Sequence, residues 1–121
     1  MKQIKIINAY LATEELAKQS DLPIQIKWTL FNLRKTLSTY YTFYVDESQQ
    51  LFSKYETIKE GTSIIFETPD LAEEYKTKQD AIDNFEIELD FEKQPCKLSD
   101  IPNITVQQME TLENFIDFKP E

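Results

Sequence analysis

The sequence predicts an α+β fold in one domain spanning 1–121, and three observations predict it. Between Ile26 and Tyr44 the residues Ile26, Leu30, Leu33, Leu37, Tyr40 and Tyr44 recur in steps of four and three, the spacing of one helix face. From Phe85 to Glu92, apolar and acidic residues alternate without exception, the period of a strand with one face turned inward. The opening segment, Gln3 to Tyr10, is rich in isoleucine, a β-branched residue favoured in strands. A chain of 121 residues suits a single domain, since most hold roughly 100–150. The predicted architecture is a long helix and a shorter antiparallel one, a helical hairpin. It packs with a small sheet from residues 3–8 and 85–92, and a C-terminal helix follows.

In chain order, residues 3–8 form the first strand. Thr13 then opens a short helix with Glu14 and Glu15 in its first turn, where carboxylates favour the helix dipole. Asp21-Leu22-Pro23 restarts the chain, because proline is tolerated in a first turn whose N–H groups have no helical partner. The long helix starts there. Its register continues through Glu47, Leu51, Lys54 and Ile58, weakening at 47 and 54 without losing phase, and no Gly or Pro intervenes before Gly61. About 35 helical residues would span roughly 50 Å, about twice the width of such a domain. The helix therefore either kinks near Asp46-Glu47-Ser48 or lays its far half on a second helix.

Gly61 is the expected stop, with a short strand over Thr62–Glu67. Thr68-Pro69-Asp70 starts the second helix with a hydroxyl N-cap, a proline at the first position and an early acid. Leu71, Tyr75, Ile82 and Phe85 share its apolar stripe. The strand at 85–92 follows, and Pro95 ends it. Thr105-Val106-Gln107-Gln108 reads as a capping box, and Met109, Leu112 and Ile116 give the last helix its apolar face.

Composition removes several function classes. The chain has one glycine, whereas a P-loop, a dinucleotide fingerprint or a nucleophile elbow each needs several. With no histidine, the commonest general base and metal ligand are missing. Cys96, the single cysteine, cannot form an internal disulfide, and with only Lys97 close by it reads as an ordinary thiol. Residues 1–8 lack the apolar region of a signal peptide, and no apolar run reaches the ~20 residues that span a bilayer. A cytoplasmic setting is expected, with no membrane.

The 22 acidic and 13 basic side chains leave a net charge of −9, unevenly spread. Residues 1–36 carry six basic and three acidic side chains, and residues 37–121 carry seven basic and nineteen acidic. The acidity belongs to the later part, above all to Asp80–Glu92. It argues against direct nucleic-acid binding, which depends on cations displacing counterions.

The order of elements is itself suggestive. An isoleucine-rich opening leads to a Leu-Pro-led helix ending near Lys54-Tyr55-Glu56. A Gly61 turn, a Pro-capped acidic helix and Glu88-Leu89-Asp90 come next. Lys97-Leu98-Ser99-Asp100-Ile101 then leads to Ile104-Thr105 and a helix ending Leu112-Glu113-Asn114-Phe115-Ile116. This order resembles that of an uncharacterised family of small proteins, a domain of unknown function, encoded by phages and prophages of low-GC Gram-positive bacteria. The resemblance covers most of the chain and implies a phage origin. It brings no catalytic residues.

The candidate site is the acidic face Glu86, Glu88, Asp90 and Glu92, with Asp80 and Asp83 before it. Alternate side chains on a strand stand about 6.5–7 Å apart, near the spacing of successive phosphates. A protein built to grip nucleic acid can accept such a row. The same row also describes a solvated outer face whose charges discourage edge-to-edge pairing. Tyr40, Tyr41, Phe43 and Tyr44, downstream of Lys27, Arg34 and Lys35, offer a base-stacking pattern, but Tyr40 and Tyr44 belong to the core stripe. Tyr41 and Phe43 lie off it and are secondary candidates for a partner surface. Glu73-Glu74 and Asp80/Asp83 read as helix-surface acids, since no calcium loop accompanies them. No catalytic residue, cofactor or metal is expected. The expectation is non-enzymatic binding to a protein partner, a basic nucleic-acid-binding host protein, as an inhibitor of anti-CRISPR or related anti-defence type. The alternative is a virion component or assembly chaperone acting through helix packing.

Overall fold

The computed structural model describes residues 1–19, 21–55, 58–60, 63–65 and 69–120. In order, the elements are α1 (Gln3–Leu16), α2 (Ile24–Tyr55), β1 (Ile58–Glu60), β2 (Ser63–Ile65), α3 (Pro69–Asp83), β3 (Gln94–Lys97), a 3-10 turn (Leu98–Asp100), α4 (Val106–Leu112) and β4 (Ile116–Lys119). β1 and β2 form an antiparallel hairpin, with Ile58 opposite Ile65. β3 and β4 form a parallel pair, with Gln94 opposite Ile116 and Cys96 opposite Phe118. This is an α+β architecture dominated by helices.

The first strand of the sequence reading is instead a helix, and the short helix at Thr13 is its continuation. Ile6, Ala9, Thr13 and Leu16 are buried in steps of three and four, so a helical stripe runs straight through the isoleucine-rich segment. α1 packs mainly on α2, with Ala9 and Ala12 buried alongside the stripe. Tertiary burial thus outweighs the modest strand preference of isoleucine. Thr13, far from starting a helix, donates back to the Tyr10 carbonyl at 2.6 Å. The helix start is capped from outside: the Gln3 N–H donates to the Phe85 carbonyl at 2.8 Å.

α2 runs unbroken through Asp46-Glu47-Ser48 for 32 residues, about 48 Å at 1.5 Å per residue. Its first half buries Ile26, Leu30, Leu33 and Leu37, each of which contributes roughly 1.5–3 kcal/mol by leaving water. Its far half lies on α3. Tyr55 meets Glu74 and Tyr44 meets Asp83, both at 2.6 Å, so the helices run in opposite senses. α3 buries no residue fully, and polar bonds and ring contacts join it to α2. The expected Gly61 stop and the Thr68 cap lie outside the described residues. Of the strand expected over Thr62–Glu67, Ser63–Ile65 is present as β2.

The sheet expected from residues 3–8 and 85–92 is not formed. Their pairing is reduced to one antiparallel bridge, Lys2 with Glu86, because α1 takes the chain away at Gln3. The true sheet partners come later. Pro95, read as a terminator, sits inside β3: Gln94 turns its N–H to the Phe115 carbonyl at 3.1 Å, so the next residue points away from β4 and needs no donor. The capping box is present, with Thr105 and Gln108 bonded reciprocally at 2.9 and 3.1 Å. α4 ends at Leu112, and Ile116 opens β4 instead of extending the helix. The main core joins α1, the first half of α2, Ile101, Leu112, Phe115 and Ile116.

Candidate functional site

Residues 85–97 form the stretch on which the acidic row is built. At its start, Gln3 donates to the Phe85 carbonyl and the Ile87 N–H donates to the Met1 carbonyl at 2.9 Å. The Met1 amino group returns a bond to the Ile87 carbonyl at 3.0 Å and lies 3.1 Å from the Glu86 carboxylate. At its end stands β3. Between these anchors, the N–H groups of Glu88 to Lys93 find no hydrogen-bond partner among the described residues. Of the carbonyls there, only that of Glu92 accepts among the described residues, from Gln94 Nε2 at 3.3 Å.

Side-chain burial still alternates. Ile87, Leu89 and Phe91 rest against the core, Phe91 edge-on to Phe115 with ring centres 5.6 Å apart. Glu86, Glu88, Asp90 and Glu92 all face out. Among the described residues Glu88, Asp90 and Glu92 make no ion pair. The row is thus a set of solvated carboxylates held in order by the apolar residues between them.

The other sequence candidates divide. Asp80 is exposed. Asp83 is engaged inside the fold: Tyr44 donates to its Oδ1 at 2.6 Å and Gln79 at 3.1 Å. Burial, and then the Asp83 hydrogen bond and charge, push the Tyr44 phenol up to about 12. Tyr41 is half-buried and stacks on Tyr10, with centroids 4.4 Å apart, beside the Arg34 guanidinium that lies 5.9 Å over Tyr10. It ties α1 to α2 and is not an open partner surface. Phe43 is 48 % exposed and remains available. Glu74 belongs to the α2–α3 seam, where the Tyr55 hydroxyl and then Lys78 hold its carboxyl below the usual range.

Sequence reasoning missed one surface. Ile24, Trp28 and Phe31 are 78 %, 63 % and 56 % exposed, and Trp28 stacks on Phe31 with centroids 5.7 Å apart. They recur in steps of four and three on α2, turned away from the core stripe that starts at Ile26. The signal was available, since a helix with two apolar stripes carries more than one core covers.

A hollow of about 580 Å³ is lined in part by Cys96, Lys97, Ser99, Asp100 and Lys119. Its thiol is unsuited to attack. Cys96 is 4 % exposed, and burial followed by the Asp100 charge pushes it up to about 11. Among the described residues, no group of three or more Cys, Asp or Glu side chains is placed to hold a metal ion. No described helix is long and apolar enough to cross a membrane. In comparisons with known proteins, no family model, no curated protein and no solved structure matches the chain.

Proposed function

We propose that the chain is a non-enzymatic protein-binding module that engages a basic partner surface through Glu86, Glu88, Asp90 and Glu92. One observation carries this reading: Ile87, Leu89 and Phe91 fix one side of the segment on the core, so four carboxylates stand outward in a preset row. Such a row steers a cationic surface toward it and fixes register once bound. With the resemblance to small phage and prophage proteins, the sharper form is a phage-encoded inhibitor of a nucleic-acid-handling host protein. It would be of anti-CRISPR or other anti-defence type and act in the bacterial cytoplasm.

The test is capture from bacterial lysate by the wild type and by the Glu86→Gln/Glu88→Gln/Asp90→Asn/Glu92→Gln variant. A nucleic-acid-binding protein retained by the wild type, lost by the variant, and released steeply between about 50 and about 500 mM salt is the expected result. Capture indifferent to salt and to the four substitutions would overturn it.

A second reading is favoured by Ile24, Trp28 and Phe31. Their exposure suits a virion component or assembly chaperone that packs by helices, and aromatic residues of this kind dominate protein contacts. Trp28→Ala abolishing capture while the acidic variant retains it would select that reading.

A further inference from the structure

Where α1, α2 and the end of α3 converge, a cleft of about 230 Å³ is lined by Gln3, Phe43, Glu47, Ala81, Ile82 and Phe85. It is smaller than the roughly 300–1,000 Å³ of a site that encloses a drug-sized ligand, so it suits one side chain. Its walls are aromatic and open: Phe43 and Phe85 are 48 % and 55 % exposed. Gln3 is different in kind. It is 1 % exposed, its Nε2 donates to the Ile82 carbonyl at 2.8 Å, and its Oε1 is buried with no donor among the described residues. An acceptor left in that state is costly, so a donor supplied there is favourable.

The electrostatics point the same way. Glu47 makes no ion pair among the described residues. α3 ends here with no basic residue in its last turn, so the negative end of its dipole lacks a cation from its own helix. The polar features of the cleft call for donors and positive charge, and its apolar walls call for a methylene stem or a flat face. Arginine supplies all of these: an apolar stem, a planar guanidinium that stacks on aromatic rings, and five N–H donors.

We propose that the cleft receives an arginine side chain of the partner protein, stem between Phe43 and Phe85, guanidinium donating to the Glu47 carboxylate and to Gln3 Oε1. This rests on the reading of a basic partner held by the acidic row, and adds a place where one residue is recognised by shape. The two are contiguous, since Phe85 immediately precedes Glu86.

The experiment is an NMR titration of isotope-labelled protein with Nα-acetyl-arginine amide. Nα-acetyl-norleucine amide supplies the stem without charge, and spermidine supplies charge without a guanidinium plane. The arginine amide should give saturable shifts at the Gln3 side-chain amide and the Phe43 and Phe85 rings. Its binding should weaken roughly fivefold in Phe43→Ala and in Glu47→Gln, whose spectra report on folding directly. Spermidine should shift only Glu86–Glu92, and the norleucine amide should bind roughly fivefold more weakly than the arginine amide. Norleucine amide binding as tightly as arginine amide would overturn the proposal. So would arginine amide shifting only Glu86–Glu92, which leaves the acidic-row reading standing. No shift at either place from either cation would sink both.

Discussion

Replacing Tyr44 with Phe tests the seam that shapes the cleft. Tyr44 follows Phe43 in α2, and its hydroxyl donates at 2.6 Å to Asp83, two residues past Ala81 in α3. A hydrogen bond to a charged acceptor is worth roughly 1.5–3 kcal/mol. Two observations place this one at the low end: both residues are only half-buried, and Gln79 still donates to the same Asp83 oxygen at 3.1 Å. The expected loss is about 1.5 kcal/mol, or on the order of 6 °C in midpoint for a domain of this size. Urea unfolding of Tyr44→Phe, Asp83→Asn and the double variant should give a coupling energy of about 1 kcal/mol. The pH dependence has a definite sign. Tyr44 rises from 10.0 to about 12 in the fold, so the folded state holds this proton more tightly. Its contribution is complete below pH 10 and is lost as pH climbs through about 12, and Tyr44→Phe should remove that share of the alkaline decline. A coupling energy below about 0.3 kcal/mol would mean that the two side chains do not meet, and the α2–α3 seam would fall with it.

Four further outcomes are expected. Trp28, the only tryptophan and 63 % exposed, should emit at long wavelength and be quenched by acrylamide almost as freely as indole; shielded emission from the dilute free chain would mean the α2 face is covered. Glu88→Gln/Asp90→Asn/Glu92→Gln should leave the unfolding free energy within about 0.5 kcal/mol, because these exposed carboxylates have no ion-pair partners among the described residues. A loss above about 1 kcal/mol in denaturation would contradict the solvated row. Cys96, buried and pushed up to about 11, should react with a thiol reagent at neutral pH only as fast as the chain opens, and prompt labelling would refute its burial. Backbone amides of 88–93 should exchange without protection while Ile87 and Gln94, bonded to Met1 and Phe115, are protected. Uniform protection across 87–94 would place an unseen ladder there.

What the sequence disclosed depended on whether the determinant was local. The α2 stripe was legible because a 32-residue helix repeats its pattern many times, and no Gly or Pro breaks it. The Thr105 capping box was legible because its two bonds lie within four residues. The first helix was obscured by Ile4, Ile6 and Ile7. The deciding residues, Ala9, Thr13 and Leu16, are an unremarkable set until a partner helix gives them a face to bury. At 85–92 the alternation correctly told which side chains point out. It was silent on the ladder, because pairing needs a second strand in register and α1 takes that segment into a helix. The same limit explains the candidate site. The outward carboxylates could be read from period two alone, but Asp83 and Tyr41 were lost to Tyr44 and Tyr10 by helix crossings that no local pattern encodes. Ile24, Trp28 and Phe31 were readable and overlooked.

The charge distribution separates the two candidate surfaces and makes one titration decisive. Ile24, Trp28 and Phe31 lie within residues 1–36, where basic side chains outnumber acidic six to three. The acidic row and, Gln3 apart, the walls of the cleft lie within residues 37–121, where acids outnumber bases nineteen to seven. A basic partner is therefore drawn to the second surface and repelled from the first, and the attraction fades as salt screens it. Contact at the α2 face rests on apolar area, which added salt does not weaken. Trp28 stands only at that face, so its emission reports which surface a captured partner occupies. A complex that dissociates with salt while Trp28 stays quenchable is held by the carboxylates. A complex that survives high salt with Trp28 shielded is held by the helix, and the assembly reading then displaces the inhibitor.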